Sequence, residues 1–281
     1  MKTFFVRALT GLLFVSVLVG GILYSPMSFA LLFALITGLA VWEFTGLVNG
    51  YKDIRVNRFI STAAGVYLFF AVFGFCMNVA GGNIFVPYLL AVVYLLVAEL
   101  YLKRPDPVGN WAYTMLSQLY VALPFALVNV LYFHADPVSL QGGVVANPVL
   151  VLAVFIFLWA SDTGAYCVGM LIGKHRLFER ISPKKSWEGS IGGAIVTVAV
   201  AVLLGNYFDF MSLWTWIGMS LVVVVFGTWG DLVESLLKRQ LGVKDSGHIL
   251  PGHGGILDRF DSVIFIAPVI FYLAQAMVGK M

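Results

Sequence analysis

The chain has 281 residues, of which 60% are hydrophobic and only 11% are charged, and its mean hydropathy is +0.95. Soluble globular domains carry about a quarter of their residues as charged side chains, so the composition excludes an ordinary soluble domain and indicates an integral membrane protein. The formal net charge of +3 is small and gives no reason to expect nucleic acid binding.

Nine apolar stretches follow one another along the chain. Each is close to the roughly 20 residues that a helix needs to cross a hydrocarbon core of about 30 Å. They cover residues 4–23, 28–48, 59–79, 84–102, 111–133, 148–172, 188–208, 211–237 and 260–279. The predicted fold class is therefore all-α, a polytopic integral membrane protein with about nine transmembrane helices.

Lysine and arginine are distributed very unevenly among the connections between these spans. Of the 17 basic residues, 16 lie at the start of the chain or follow spans two, four, six and eight, and only Lys280 falls on the other side. Because cytoplasmic connections are enriched in Lys and Arg, this pattern predicts a cytoplasmic N-terminus. With an odd number of spans, the C-terminus is expected to be external.

The character of the chain changes at the sixth span, where the stretch WASDTGAY places Asp162 among hydroxyl and small residues inside an apolar helix. The first five spans have few ionisable groups and short connections. We therefore predict a single membrane domain, 1–281, in which 1–147 is scaffold and 148–281 is the catalytic half.

Most carboxylates fall within spans, or at their ends, on the predicted cytoplasmic half. They are Glu43, Glu99, Asp162, Glu188, Asp231, Glu234, Asp258 and Asp261. Carboxylates are costly inside a membrane and usually mark ion or substrate sites. A polar cavity that opens to the cytoplasm is the expectation.

Two clusters of these carboxylates flank the last connection. Asp231, Glu234 and Ser235 share one helix face because residues three and four apart are neighbours, and Asp258 and Asp261 are likewise three apart. Hard oxygen ligands without paired cysteines or a histidine-rich spacing favour magnesium over zinc. The alternative is that these carboxylates only pair with nearby basic residues, namely Lys238, Arg239 and Arg259.

The connection between the two clusters is rich in glycine, which permits tight turns and close approach to a phosphate. Four cations interleave with the glycines, which makes the connection a candidate polyphosphate site. They are Lys238, Arg239, Lys244 and Arg259.

The connection after span six contains the stretch SPKKSWEG, in which Ser182 and Ser186 flank Lys184 and Lys185. Basic residues are required here by the topology and could simply contact anionic lipid. That alternative does not explain the flanking hydroxyls.

Residues 235–261 read SLLKRQLGVKDSGHILPGHGGILDRFD. The order of Ser, Lys-Arg, Lys-Asp, His-Gly-Gly and Asp-Arg-x-Asp in this run resembles the signature of the integral-membrane phosphatidate cytidylyltransferases, the CDP-diacylglycerol synthases. SDTGAY and SPKKSWEG also look like recurrent elements of that family. The resemblance covers about residues 155–275 and leaves spans one to five without a motif.

The resemblance implies transfer of a cytidylyl group from CTP to phosphatidate, giving CDP-diacylglycerol and pyrophosphate. For this reaction we expect magnesium to be held mainly by Asp231 and Asp258, with Glu234 and Asp261 as further ligands, and a second cation is left open. The implied catalytic residues are Asp231, Asp258, Lys238, Arg239, Lys244 and Arg259. The implied substrate-binding residues are Ser182, Lys184, Lys185, Ser186, Ser235, His253, Gly254 and Gly255. For His253, a loop-ordering hydrogen bond is an alternative to contact with phosphate.

By the same resemblance, CTP would arrive from the cytoplasm and phosphatidate from the lipid of a bacterial inner membrane. Homodimerisation is suggested by family analogy alone. Two other classes remain as alternatives. A different membrane lipid phosphotransferase or a polyprenol kinase shares the need for cations and lipid, but the paired Asp-Gly-x-x-Ala-Arg pattern of the alcohol phosphotransferases is absent. A cation-coupled transporter would place its carboxylates near the midplane instead.

Overall fold

The computed structural model describes residues 2–135, 144–247, 249 and 254–278, and these are almost entirely helical. The helices are α1 (Lys2–Tyr24), α2 (Pro26–Val48), α3 (Arg58–Cys76), α4 (Val86–Leu102), α5 (Pro107–Leu116), α6 (Leu123–Tyr132), α7 (Pro148–Ile172), α8 (Trp187–Tyr207), α9 (Leu213–Gln240), α10 (Leu257–Phe260) and α11 (Ile266–Val278). Short 3₁₀ segments, Gly82–Phe85 and Asp261–Phe265, precede α4 and α11, and a π-helical segment, Ser117–Ala122, joins α5 to α6.

Four short strands interrupt the helices. Strands β1 (Phe133–Ala135) and β2 (Val144–Ala146) pair antiparallel, as do β3 (Arg176–Phe178) and β4 (Ser182–Ser186). The second pair forms a hairpin in the connection that follows the sixth predicted span, where the sequence had indicated only a basic connection.

The helical segments confirm an all-α polytopic membrane fold. Among the described residues, seven segments are long and apolar enough to cross a membrane, and they correspond to predicted spans two to eight. At the two ends, α1 contributes a shorter apolar stretch, Leu9–Tyr24, and α11 has 13 residues. The count of nine spans therefore stays a prediction.

The chain forms two compact units. The first comprises residues 1–149 and 240–260, and the second comprises residues 150–239 and 261–281. The predicted division into scaffold and catalytic half stays a prediction. The connection that contains most of the 235–261 run packs with the first five spans, which the sequence had suggested were scaffold without a motif.

In the first unit, α2 is the central helix and packs along α3. It begins at a capping box in which the Ser25 and Ser28 side chains each accept the other residue's backbone N–H, which satisfies donors that a helix start leaves without partners. Its fully buried Phe29 stacks on Tyr132 with ring centroids 4.0 Å apart. Apolar packing of this kind stabilises α2 along its length.

In the second unit, α7 and α8 approach closely through glycines. A Cβ on Gly193 would lie 2.7 Å from the Ser161 carbonyl oxygen, and one on Gly189 would lie 2.8 Å from the Ala165 carbonyl oxygen. Small residues allow helix backbones to approach in membranes. The polar segment of α7 around Ser161 therefore packs directly on the first half of α8.

Candidate active site

The β3–β4 hairpin positions the predicted lysine pair. Ser186, at its end, caps α8: its Oγ accepts a hydrogen bond of 3.1 Å from the Gly189 backbone N–H. The Trp187 backbone N–H donates to the His175 carbonyl oxygen at 2.9 Å. Because both ends of this connection are tied to α8, Lys184 and Lys185 lie on an ordered strand.

A cavity of about 220 Å³ opens beside this hairpin. Its lining comes from α7, β4, the start of α8 and one residue of α9, namely Ser161, Asp162, Ala165, Tyr166, Lys184, Lys185, Ser186, Gly189, Ser190 and Thr228. The structure therefore brings the SDTGAY and SPKKSWEG stretches to the same cavity. Ser182 pairs with Phe178 at the other end of β4 and is not part of this lining.

Asp231 joins α9 to the hairpin. Lys185 Nζ lies 2.5 Å from Asp231 Oδ2, and the Ser235 hydroxyl donates to Asp231 Oδ1 at 3.1 Å. The predicted placement of Asp231 and Ser235 on one helix face is confirmed by this bond. The side chains of Lys185 and Asp231 remain 27% and 33% exposed, and ion pairs so accessible to water contribute little to stability. Both groups are accessible to a bound substrate.

Glu234 has a different environment. Its side chain is fully buried and forms an ion pair with Lys238 one turn later. Pairing with a nearby basic residue is what we gave in the sequence analysis as the alternative to metal binding by these carboxylates. A role for Glu234 as a metal ligand stays a prediction and would compete with Lys238 for the same oxygens.

Asp261 packs against α9 through Gly230, where a Cβ would lie 2.6 Å from the Asp261 carbonyl oxygen. The Asp261 side chain accepts the Ser262 backbone N–H at 2.6 Å, and the negative charges of Asp231 and Asp162 both act on it. Carboxylate oxygens that repel one another are a suitable donor set for a hard cation such as magnesium. Within the described ranges, however, no three His, Cys, Asp or Glu side chains form a group that could hold a metal ion.

In the first unit, Asp258 organises the connection that precedes it. Its Oδ2 accepts the backbone N–H groups of Ser246 at 2.8 Å and of Gly255 at 2.9 Å. Gly254 has a positive φ of 85°, and a Cβ there would lie 2.7 Å from the same oxygen. Gly254 is therefore required both for the left-handed backbone and for the close approach of the carboxylate.

The remaining predicted residues are more scattered. Lys244 and Arg259 are exposed in the first unit, and Lys238 and Arg239 lie in the last turn of α9 instead of in a connection, because α9 continues to Gln240. Cations are favourable at that end of a helix.

His253 lies outside the described residues. Asp231 and Asp258 belong to different units, so their convergence on one cation stays a prediction.

The sequence did not single out Thr228 or Gly230, and it placed Glu43 only among the carboxylates expected at a polar cavity. Thr228 lines the cavity, and Gly230 allows Asp261 to approach α9. Glu43 contacts the connection before Asp258. Its only signal was that of a carboxylate inside an apolar span.

A membrane-spanning helical protein with a cationic hairpin and a carboxylate-bearing helix at one cavity has the features of a membrane enzyme that acts on phosphorylated substrates. The model of the cytidylyltransferase family matches residues 5–277, and the chain belongs to that family.

Relatives agree with this membership. The chain is 40% identical over 197 residues to a phosphatidate cytidylyltransferase of Staphylococcus haemolyticus (strain JCSC1435), an alignment that covers 69% of this chain and 71% of the relative. It is 38% identical over 206 residues to that of Staphylococcus aureus (strain COL), covering 66% and 78% of the two chains. The corresponding protein of Staphylococcus saprophyticus is 36% identical over 206 residues, with the same coverage.

Proposed function

We propose that the protein is a phosphatidate cytidylyltransferase, which converts CTP and phosphatidate to CDP-diacylglycerol and pyrophosphate. The observation that carries the proposal is the cavity of the second unit, where the lysine pair of β4 meets the polar segment of α7 and Asp231 of α9. Family membership and the names of the relatives support the same reaction.

In this reaction an oxygen of the phosphatidate phosphate attacks the α-phosphorus of CTP. The bond between the α-phosphorus and the oxygen that bridges to the β-phosphorus breaks, and pyrophosphate leaves with the electron pair. The attacking phosphate is already anionic at neutral pH, so no general base is needed. What the site must supply is alignment of two anions and neutralisation of their charge.

Lys184 and Lys185 are suited to that task. Both line the cavity, and Lys185 also contacts Asp231. We assign them to the phosphates of the substrates, with Ser186 and Ser190 as neighbouring hydroxyls. Lys238, Arg239, Lys244 and Arg259 remain proposed phosphate contacts, as do Ser182, Ser235, His253, Gly254 and Gly255.

The reaction is proposed to depend on magnesium, which when bound would neutralise charge on the triphosphate and its leaving group. Asp231 and Asp261 would hold it from the second unit, where Gly230, next to Asp231, lets Asp261 approach α9 closely. Asp258 and Glu234 stay proposed ligands. Asp258 already accepts two backbone N–H groups and Glu234 already pairs with Lys238.

The enzyme is proposed to lie in the bacterial inner membrane with its N-terminus and active site cytoplasmic. The distribution of the basic residues among the connections supports this orientation. CTP would then enter from the cytoplasm and the lipid headgroup from the membrane boundary.

The test uses purified protein in neutral detergent with phosphatidate, magnesium and CTP labelled on either the α- or the γ-phosphorus. Cytidylyl transfer moves the α-label into the lipid fraction and releases the γ-label as pyrophosphate. A lipid kinase would move only the γ-label into lipid, and a transporter would move neither. Either of the last two results would refute the proposal. Omission of magnesium should abolish the α-label in lipid.

A further inference from the structure

Glu43 of α2 contacts two parts of the connection that follows α9, one at Ser246 and the other at Leu257. Its Oε2 accepts the Leu257 backbone N–H at 2.9 Å and lies 3.4 Å from the Ser246 hydroxyl. We infer that Glu43 is a positioning residue, which holds the described residues 246–247 and 254–258 of this connection in the arrangement that cytidylyl transfer requires. The inference rests on the proposed function.

Two glycines make room for this carboxylate. A Cβ on Gly247 would lie 2.5 Å from Glu43 Oε1, and a Cβ on Gly255 would lie 2.5 Å from Glu43 Oε2. No side chain larger than hydrogen fits at either position without displacing Glu43. The glycines of this connection therefore serve the Glu43 contact as well as the turns that they permit.

Ser246 links Glu43 to Asp258. Its hydroxyl is the donor to Glu43 and also accepts the Asp258 backbone N–H at 3.2 Å, while its own backbone N–H donates to Asp258 Oδ2. Ser246 is only 4% exposed. A displacement of Glu43 would therefore be transmitted through Ser246 to the position of Asp258.

The environment of Glu43 favours a positioning role over a purely stabilising one. Glu43 is only 7% exposed. Among the described residues, its Oε1 has no hydrogen-bond partner, and none of the ion pairs includes Glu43. Burial of a carboxylate costs free energy of desolvation. An apolar side chain would fill this place at lower cost but could not hold Ser246 and Leu257.

Glu99 of α4 offers a matched comparison in the same unit. It is 8% exposed, and its oxygens accept from Arg104 and from Asn110 at 2.8 and 2.9 Å. None of these partners belongs to the connection that Glu43 holds. Glu99→Gln should therefore reproduce the loss of a buried carboxylate without releasing that connection.

The experiment compares Glu43→Gln with Glu99→Gln by two measurements on purified protein. Steady-state kinetics should show kcat/KM for CTP lowered at least about tenfold by Glu43→Gln, equivalent to about 1.4 kcal/mol, and changed less than about threefold by Glu99→Gln, per folded molecule. Hydrogen exchange should become faster at Ser246, Gly255 and Leu257 in Glu43→Gln alone, because a neutral amide oxygen holds its donors less strongly than a carboxylate and exchange reports local opening.

Equal losses of kcat/KM in the two variants, or unchanged exchange at Leu257 in Glu43→Gln, would overturn the inference. If Glu43→Gln does not fold, Ser246→Ala removes the hydroxyl donor and must show the same two effects. A wild-type protein without cytidylyltransferase activity would refute the proposed function instead, and the exchange comparison would still decide whether Glu43 positions the connection.

Discussion

Lys185 on the β3–β4 hairpin lies 2.5 Å from Asp231 on α9, so an ion pair joins the basic connection to the helix that bears the principal candidate metal ligand. Neither side chain is fully buried, and the pair therefore stabilises the fold only slightly. Its consequence is positional. The cation is held at the cavity, where a phosphate could replace Asp231 as its partner.

The lysine pair is expected to be needed for activity and not for orientation in the membrane. Changing both Lys184→Gln and Lys185→Gln leaves Lys174, Arg176 and Arg180 to keep the connection inside. Activity in neutral detergent should fall at least about tenfold, equivalent to about 1.4 kcal/mol. The matched control is Lys174→Gln, a cation of the same connection that does not line the cavity, which should retain its rate. Retention of the rate by the double variant would remove both lysines from the substrate site.

Asp231→Asn is predicted to abolish turnover without unfolding the protein. The substitution keeps the size of the side chain and an oxygen for Ser235, but it removes the charge. Ion-mediated charge stabilisation is worth several kcal/mol in the transition state. The measurement is a magnesium titration of the initial rate alongside thermal unfolding in detergent. A wild-type rate at ordinary magnesium would exclude Asp231 from the site.

Asp258→Asn is also predicted to abolish turnover. For this residue, a role in binding a cation must be distinguished from its role in ordering the connection before it. Asp258 Oδ2 accepts two backbone N–H groups, and the single amide oxygen of asparagine can accept both, although less strongly than a charged acceptor. Loss of activity with preserved hydrogen-exchange protection at Ser246 and Gly255 would support a direct role in binding a cation. Loss of both would assign Asp258 to loop order, and full activity would exclude it from the site altogether.

The sequence predicted the membrane helices well because hydropathy acts within one segment. The span expected at 148–172 coincides with α7. The ends of the other predicted spans from two to eight differ by a few residues from the ends of the apolar helical segments. The Asp231–Ser235 contact was also predictable because helix spacing fixes it. By contrast, Glu43 and Leu257 are separated by 214 residues along the chain, and no local pattern connects them. Only tertiary packing reveals that a span without a motif holds the signature connection.

The orientation of the chain provides a prediction that does not depend on activity. An odd number of spans and a cytoplasmic N-terminus require an external C-terminus, as the sorting of the basic residues indicates. Alkaline phosphatase fused after Met281 should be active in the periplasm, and a fluorescent protein fused there should be dark. As an internal control, fusions within the connection between α2 and α3 should show the opposite behaviour. The reverse result at the C-terminus would leave eight or ten spans.

Gly230 tests whether Asp261 must lie against α9 beside Asp231. A Cβ at this position would approach the Asp261 carbonyl oxygen to 2.6 Å and the Ser262 Cα to 2.9 Å, and both obstacles are backbone atoms that cannot rotate away. Gly230→Ala should therefore displace Asp261 and lower the rate at least about tenfold, even though alanine favours the helix by about 1 kcal/mol.

Gly20→Ala is the matched control, because a Cβ on that helical glycine meets nothing within 4 Å; its rate should stay at the wild-type value. A higher magnesium requirement in Gly230→Ala would indicate that the displaced carboxylate serves the cation. A normal rate and a normal magnesium requirement would show that the position of Asp261 against Gly230 is irrelevant to the reaction, and Asp261 would then be withdrawn from the ligand set.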